Sequence, residues 1–155
     1  MADDVKLSEN FTLAELTRSG ASERLGLDNT PGPTETANLK RLAEVALEPM
    51  RKLLGVRIKI NSGYRSEAVN KAAGSTAKRS AHLDGLAADT VPRGLDLKEA
   101  FNKIRASAIP YDQVILEPTW IHIGIAAEGV KPRKQALIAS GKPGAWSYVV
   151  APPLK

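Results

Sequence analysis

The sequence of 155 residues contains no cysteine. Disulfides and thiolate-rich structural zinc sites are therefore excluded. No apolar run approaches the roughly 20 residues that a membrane-spanning helix needs. Aromatic residues make up only 5% of the chain. None is interleaved with arginine in the manner of a base-stacking platform, so nucleic acid is not an expected partner. A GxSxG elbow is also missing, which argues against a Ser/His/Asp hydrolase. There are no internal repeats and no low-complexity tracts. The first ten residues, MADDVKLSEN, lack the basic and apolar regions of a secretory leader.

What is present fits a folded domain. Hydrophobic residues make up 43% and charged residues 25%, ordinary values for a globular chain. A chain of this size buries roughly two-thirds of its unfolded surface. The formal charge is +5 and the pI near 9.6, a balance that favours anionic surfaces. The Lys131–Lys134 cluster would contribute to such a contact or form an ordinary solvated face. Nothing suggests an obligate partner, and a monomer is expected.

The patterning predicts helices first and short strands later. Thr12 and Glu15 have capping-box spacing ahead of Leu13 and Leu16. A turn-rich stretch, LDNTPGP, closes the first 33 residues. Leu39, Leu42, Val45 and Ala46 recur at helical spacing. Pro49 should bend or end that helix, and Gly55 is a candidate C-cap. VRIKIN (56–61) alternates as a half-buried strand, SGYRS (62–66) reads as a turn, and Ser66 can cap a short helix. Residues 75–82 read as loop and GLAADTV (85–91) as a strand. Asp96 and Glu99 begin a further helix with Phe101 and Ile104 inward. YDQVILE (111–117) and WIHIGIA (120–126) form an expected hairpin, and SYVV (147–150) a last strand before a loose end at Pro152 and Pro153. This order implies an α+β domain with a mostly antiparallel sheet flanked by helices. The expected organisation is one domain over 1–155: an N-terminal helix and loop (1–33), a motif-bearing core (34–126) and a basic C-terminal segment (127–155).

The chain has two histidines, His82 and His122. In the strand WIHIGI, Ile121, Ile123 and Ile125 share one face, suited to the core, while Trp120, His122 and Gly124 share the other. Asp89 follows His82 by seven positions. Two imidazoles and one carboxylate make a three-ligand set for zinc that leaves a fourth position open.

The decapeptide SAHLDGLAAD, of pattern SxHxxGxAxD, resembles the signature of the zinc D-Ala-D-Ala carboxypeptidase and L-Ala-D-Glu peptidase family. That family shares its fold with the hedgehog signalling domain. SGYRS looks like the arginine motif that precedes the signature, and YDQVILE with WIHIG looks like the closing segment. With the upstream helix NLKRLAEVALEPMRKLLG, the resemblance covers about residues 8–126. It implies a hedgehog/DD-peptidase-like fold and Zn2+ held by His82, Asp89 and His122. Ser80 would support the first ligand or cap local backbone. Gly85 would allow a tight turn. Arg65 would hold a substrate carbonyl or carboxylate, a task suited to its planar fork. Many relatives carry an acid three positions before the last histidine, and here that position is Thr119. Glu117 is then the expected general base, with Asp84 ranked below it. Trp120 would line the cleft or pack beside the ligand strand, and Asp112 and Gln113 would be structural or cleft-lining.

The implied activity is hydrolysis of a bacterial peptidoglycan stem peptide, at the L-Ala–D-Glu or the D-Ala–D-Ala bond. Glu117 would take a proton from water and pass it to the leaving amine, and Arg65 would stabilise developing oxygen charge. The profile resembles single-domain phage endolysins, made in the host cytoplasm and acting in the periplasm after release. The alternative is a zinc-stabilised wall-binding or virion component with little hydrolysis.

Overall fold

The computed structural model describes residues 5–18, 20–72, 81–141 and 147–153, with only the backbone described at 20 and 21. Helix α1 (Leu13–Thr17) opens with the expected capping box. Thr12 Oγ1 accepts from the Glu15 N–H at 3.2 Å, and Glu15 Oε1 accepts from the Thr12 N–H at 3.1 Å. A second short helix, α2 (Gly20–Leu25), falls where the sequence patterning predicts loop.

Helix α3 (Pro33–Leu42) does not end at Pro49. It passes through a π-helical segment, Ala43–Leu47, directly into α4 (Glu48–Leu54). Proline has no N–H to donate, and its ring presses on the carbonyl four residues back. A wider π-turn immediately before it, closed by the Glu48 N–H on the Ala43 carbonyl, absorbs that conflict without breaking the axis. Gly55 then caps the helix in the left-handed region, at φ 69°.

Strand β1 (Ile58–Ser62) starts two residues later than the alternation of VRIKIN suggests. It is followed by α5 (Glu67–Ala72), where Ser66 Oγ accepts from the Val69 N–H as a cap. A 3₁₀ turn, Ala81–Asp84, leads into β2 (Ala87–Pro92). Then come α6 (Leu97–Arg105), capped by the Asp96 carboxylate, and the hairpin of β3 (Tyr111–Leu116) and β4 (Ile121–Ile125). Strands β5 (Gln135–Ser140) and β6 (Ser147–Val150) complete a six-stranded sheet in the order β1-β2-β4-β3-β5-β6. Every neighbouring pair is antiparallel except β3 and β5, which run parallel. The chain is thus α+β, with a mixed, mostly antiparallel sheet flanked by helices, consistent with the hedgehog/DD-peptidase-like fold.

The sequence patterning does not predict β5. The segment QALIAS does not alternate, and its residues are partly buried on both faces. Ala151 and Pro152 are anchored rather than loose. The Ala151 N–H donates to the Ala136 carbonyl at 2.9 Å, and Arg105 donates to the Pro152 carbonyl.

One face of the sheet carries the core. Val114, Ile121 and Ile123 are fully buried, together with Leu39, Leu42, Ile104 and Phe101 from the helices. As the alternation of WIHIGI requires, His122 then lies on the opposite face. No helix among the described residues is long and apolar enough to cross a membrane.

Candidate metal centre

Two glycines place the first histidine. Gly85 has φ +74°, and a Cβ there would sit 2.6 Å from the Glu35 carbonyl oxygen. Only glycine allows both the left-handed turn and the close approach to α3. This turn directs His82 inward, where it is 4% exposed. Gly63, in the SGYRS turn, lies so close to α1 that a Cβ would meet the Leu16 carbonyl oxygen at 2.4 Å. Held there, the Gly63 carbonyl lies 2.7 Å from His82 Nδ1. Nδ1 therefore carries the proton and donates it, which leaves Nε2 as a lone pair facing the cluster.

Asp89 on β2 and His122 on β4 are direct cross-strand partners. Asp89 Oδ1 lies 3.2 Å from His122 Nδ1 and 3.4 Å from His82 Nε2. The two imidazole rings meet edge to face, with centroids 5.2 Å apart. All three ligand atoms fall within 4.8 Å of one another. Four ligands placed about 2.0–2.1 Å from a tetrahedral zinc are spaced about 3.3 Å apart, so the observed Asp–His separations already match two edges of such a site. The residues fit a zinc ion.

The electrostatics agree. Burial alone would raise the Asp89 carboxyl, but His82 and His122 outweigh it and hold the group far below the ordinary carboxylate range. Burial pushes the His82 imidazolium down against the pull of Asp89. An ionised carboxylate and a neutral imidazole are the states in which these groups ligate a metal.

Arg65 is engaged more fully than its expected substrate role implies. Its Nη2 donates to Asp89 Oδ2 at 3.1 Å, its Nε to Ser62 Oγ at 2.9 Å and its Nη1 to Asn70 Oδ1 at 3.3 Å. Sequence reasoning missed Ser62 and Asn70. The available signal was Asn70 itself, a polar residue on the inward face of α5 and only 4% exposed.

Glu117 directly follows β3, and its N–H closes the hairpin on the Trp120 carbonyl at 3.0 Å. Its side chain lies on the His122 face, two positions beyond Ile115, the cross-strand partner of His122. It is 7% exposed. Burial, and then the Asp89 charge, push its carboxyl above the ordinary glutamate range, with His122 pulling the other way. Thr119 sits exposed at the hairpin tip, and Trp120 is half-buried on the His122 face. Asp84 stays outside the three-residue group, and its carbonyl accepts from Asn38 Nδ2. Ser80 lies outside the described residues.

The remaining candidates have structural partners. Asp112 pairs with Arg133 at 2.7 Å, and Gln113 donates to Gln135 across the parallel strands at 2.8 Å. Lys134 donates to the carbonyls of Ser107 and Ile109 and lies 4.1 Å from the centre of the Tyr111 ring. Two of the three cations in the Lys131–Lys134 cluster thus have partners within the fold.

The peptidase M15 family model matches residues 9–124, a span that contains the arginine turn, all three candidate ligands and Glu117. The chain belongs to the peptidase M15 family. No curated protein matches it. M15 enzymes are zinc-dependent metallopeptidases. In this M15 peptidase the group that could hold the ion is His82, Asp89 and His122.

Proposed function

We propose that this M15 peptidase hydrolyses a bond in the stem peptide of bacterial peptidoglycan, either L-Ala–D-Glu or D-Ala–D-Ala, and that it serves as a phage endolysin. The observation that carries the reading is the pairing of a zinc-competent His82–Asp89–His122 group with a buried glutamate, Glu117, on the same face of the sheet. Zinc held by His82, Asp89 and His122 would supply Lewis acidity at that place. Glu117 takes a proton from the attacking water and delivers it to the departing amine. Its raised proton affinity suits both halves of the task, because an ordinary glutamate is too weak a base to capture a proton efficiently near neutrality. Arg65 keeps Asp89 oriented through its Nη2 contact, and its remaining N–H donors serve a substrate oxygen. Synthesis in the host cytoplasm and action in the periplasm as a monomer complete the proposal.

The test is digestion of purified Gram-negative peptidoglycan by the zinc-loaded protein, with and without chelator, read by mass spectrometry. Chelator-sensitive release of free D-alanine identifies a carboxypeptidase. New D-Glu amino termini identify a stem-peptide endopeptidase. Release of neither refutes hydrolysis of this substrate. A second reading, a zinc-stabilised wall-binding component, draws on Thr119 at the position where many relatives carry an acid, and it would then take precedence.

A further inference from the structure

Cross-strand register extends the metal face to the edge of the sheet. His122 pairs with Ile115, Ile115 with Leu137, and Leu137 with Val150. Direct partners share a face, so this row runs from the ligand strand across β3 and β5 to β6. The adjacent row on the same face contains Glu117, Ala139 and Tyr148. Ala139 pairs with Tyr148, and Glu117 stands one step beyond the Leu116–Ile138 pair. Among the described residues, the register places one side chain, an alanine, between the proposed base and the phenol. Two strand spacings, roughly 9.6 Å, separate their backbones, and the small residue leaves room for the ring to lean inward. Tyr148 is 48% exposed and Val150 74% exposed, so both remain open to a ligand.

The electrostatics support this placement. Burial and then the Glu117 and Asp89 carboxylates push the Tyr148 hydroxyl above its ordinary range. The phenol therefore stays protonated near neutrality, a hydrogen-bond donor. Arg65 touches Asp89 from the β1 flank of the metal group, and Tyr148 stands on the β6 flank.

We propose that Tyr148 is a substrate-binding residue whose hydroxyl donates to a carbonyl oxygen of the peptide on the side of the metal group opposite Arg65. Beside it, Leu137 and Val150 present aliphatic surface for a small apolar side chain next to the scissile bond. The substrate class is an extended peptide with an apolar residue at that position. The inference rests on the hydrolase reading and specifies where its substrate lies.

The experiment compares zinc-loaded wild type, Tyr148→Phe and Val149→Thr on a soluble stem peptide containing both candidate bonds. Val149 is the neighbour on the opposite face, since it pairs with Ile138. Tyr148→Phe is expected to raise KM about 3–10-fold, the loss of one neutral hydrogen bond, with kcat within about two-fold. Zinc content and Tm should be unchanged, and Val149→Thr should match wild type. An unchanged KM in Tyr148→Phe overturns the proposal. If wild type shows no turnover, the hydrolase reading fails separately, and the same peptide is titrated by calorimetry into the zinc-loaded proteins. Weaker binding by Tyr148→Phe then supports the contact. Equal binding, or none by wild type, overturns it.

Discussion

Arg65 Nη2 lies 3.1 Å from Asp89 Oδ2, the oxygen that faces away from the histidines, while both histidines approach Oδ1. The carboxylate is thus divided: one oxygen is steadied by the guanidinium and the other offered to a metal. Partners that orient a ligand typically contribute 10–100-fold in metal affinity. Arg65→Lys keeps the charge but loses the fork that joins Ser62, Asn70 and Asp89. Competition against a chromophoric chelator should show zinc affinity lowered by about 10–100-fold. An affinity equal to wild type would mean that Asp89 needs no such support.

Glu117 is buried on the metal face with its proton affinity raised, first by desolvation and then by Asp89. Removing a general base usually costs about 100- to 10,000-fold in rate. Glu117→Gln should lose turnover on that scale yet retain its zinc, as measured by metal analysis. The base acts when deprotonated, so kcat/KM should fall as pH drops through the raised pKa of Glu117. Burial pushes that acidic limb above the value for an ordinary glutamate, and a zinc ion held by Asp89 pulls it back. An acidic limb that persists unchanged in the residual activity of Glu117→Gln would assign the base elsewhere.

The candidate metal-binding group was legible because motif and periodicity agree. The isoleucines of WIHIGI can face only the core, which turns His122 outward, and a β2 strand beside it brings Asp89 into register. The role of Gly85 was legible for the same reason, since few residues accept its turn. Other features depend on tertiary context. The π-turn before Pro49 leaves no pattern in the apolar spacing, because the helix on both sides keeps its buried face. Strand β5 has no alternation to detect, because its two faces are buried to a similar, partial extent. The Asp112–Arg133 pair joins residues 21 positions apart, a contact that appears only once β5 is placed beside β3. Tyr148 sits in a segment that sequence reasoning treats as a terminal strand, and only the register reveals that it shares a face with Glu117.

Glu48, at the start of α4, holds the N-terminal segment. Its carboxylate accepts from Ser8 Oγ at 2.6 Å, from the Asn10 N–H at 2.6 Å and from Asn10 Nδ2 at 2.7 Å. Burial opposes the charged form, but the bonds from Asn10 and Ser8 outweigh it and depress the carboxyl. A depressed carboxylate stabilises the fold above its unfolded pKa, about 4.3, and that contribution disappears as pH falls through the folded value. Glu48→Gln should be about 1–2 kcal/mol less stable at pH 7, after allowance for solvent exposure. Urea melts across pH should show the gap closing below about pH 4. A gap that does not depend on pH would assign the effect to shape rather than to charge.

Gly85 joins the 3₁₀ turn of His82 to β2, and its N–H contacts the His82 carbonyl at 3.3 Å. Its φ of +74° and the 2.6 Å approach of a Cβ to the Glu35 carbonyl act together. The left-handed backbone alone costs a residue with a Cβ about 1–3 kcal/mol. The clash adds to this because backbone, not a flexible side chain, stands in the way. Gly85→Ala should therefore lower Tm by several degrees, at roughly 2–4 °C per kcal/mol for a chain of this size. The strain is relieved most easily by moving the turn that carries His82, so zinc affinity should fall in parallel. Gly55→Ala provides the contrast. It shares the positive φ, but nothing lies within 4 Å of its Cβ and it is remote in sequence from the ligands. It should lose stability without losing zinc affinity. If both variants bind zinc like wild type, the geometry of the His82 turn does not govern the metal site.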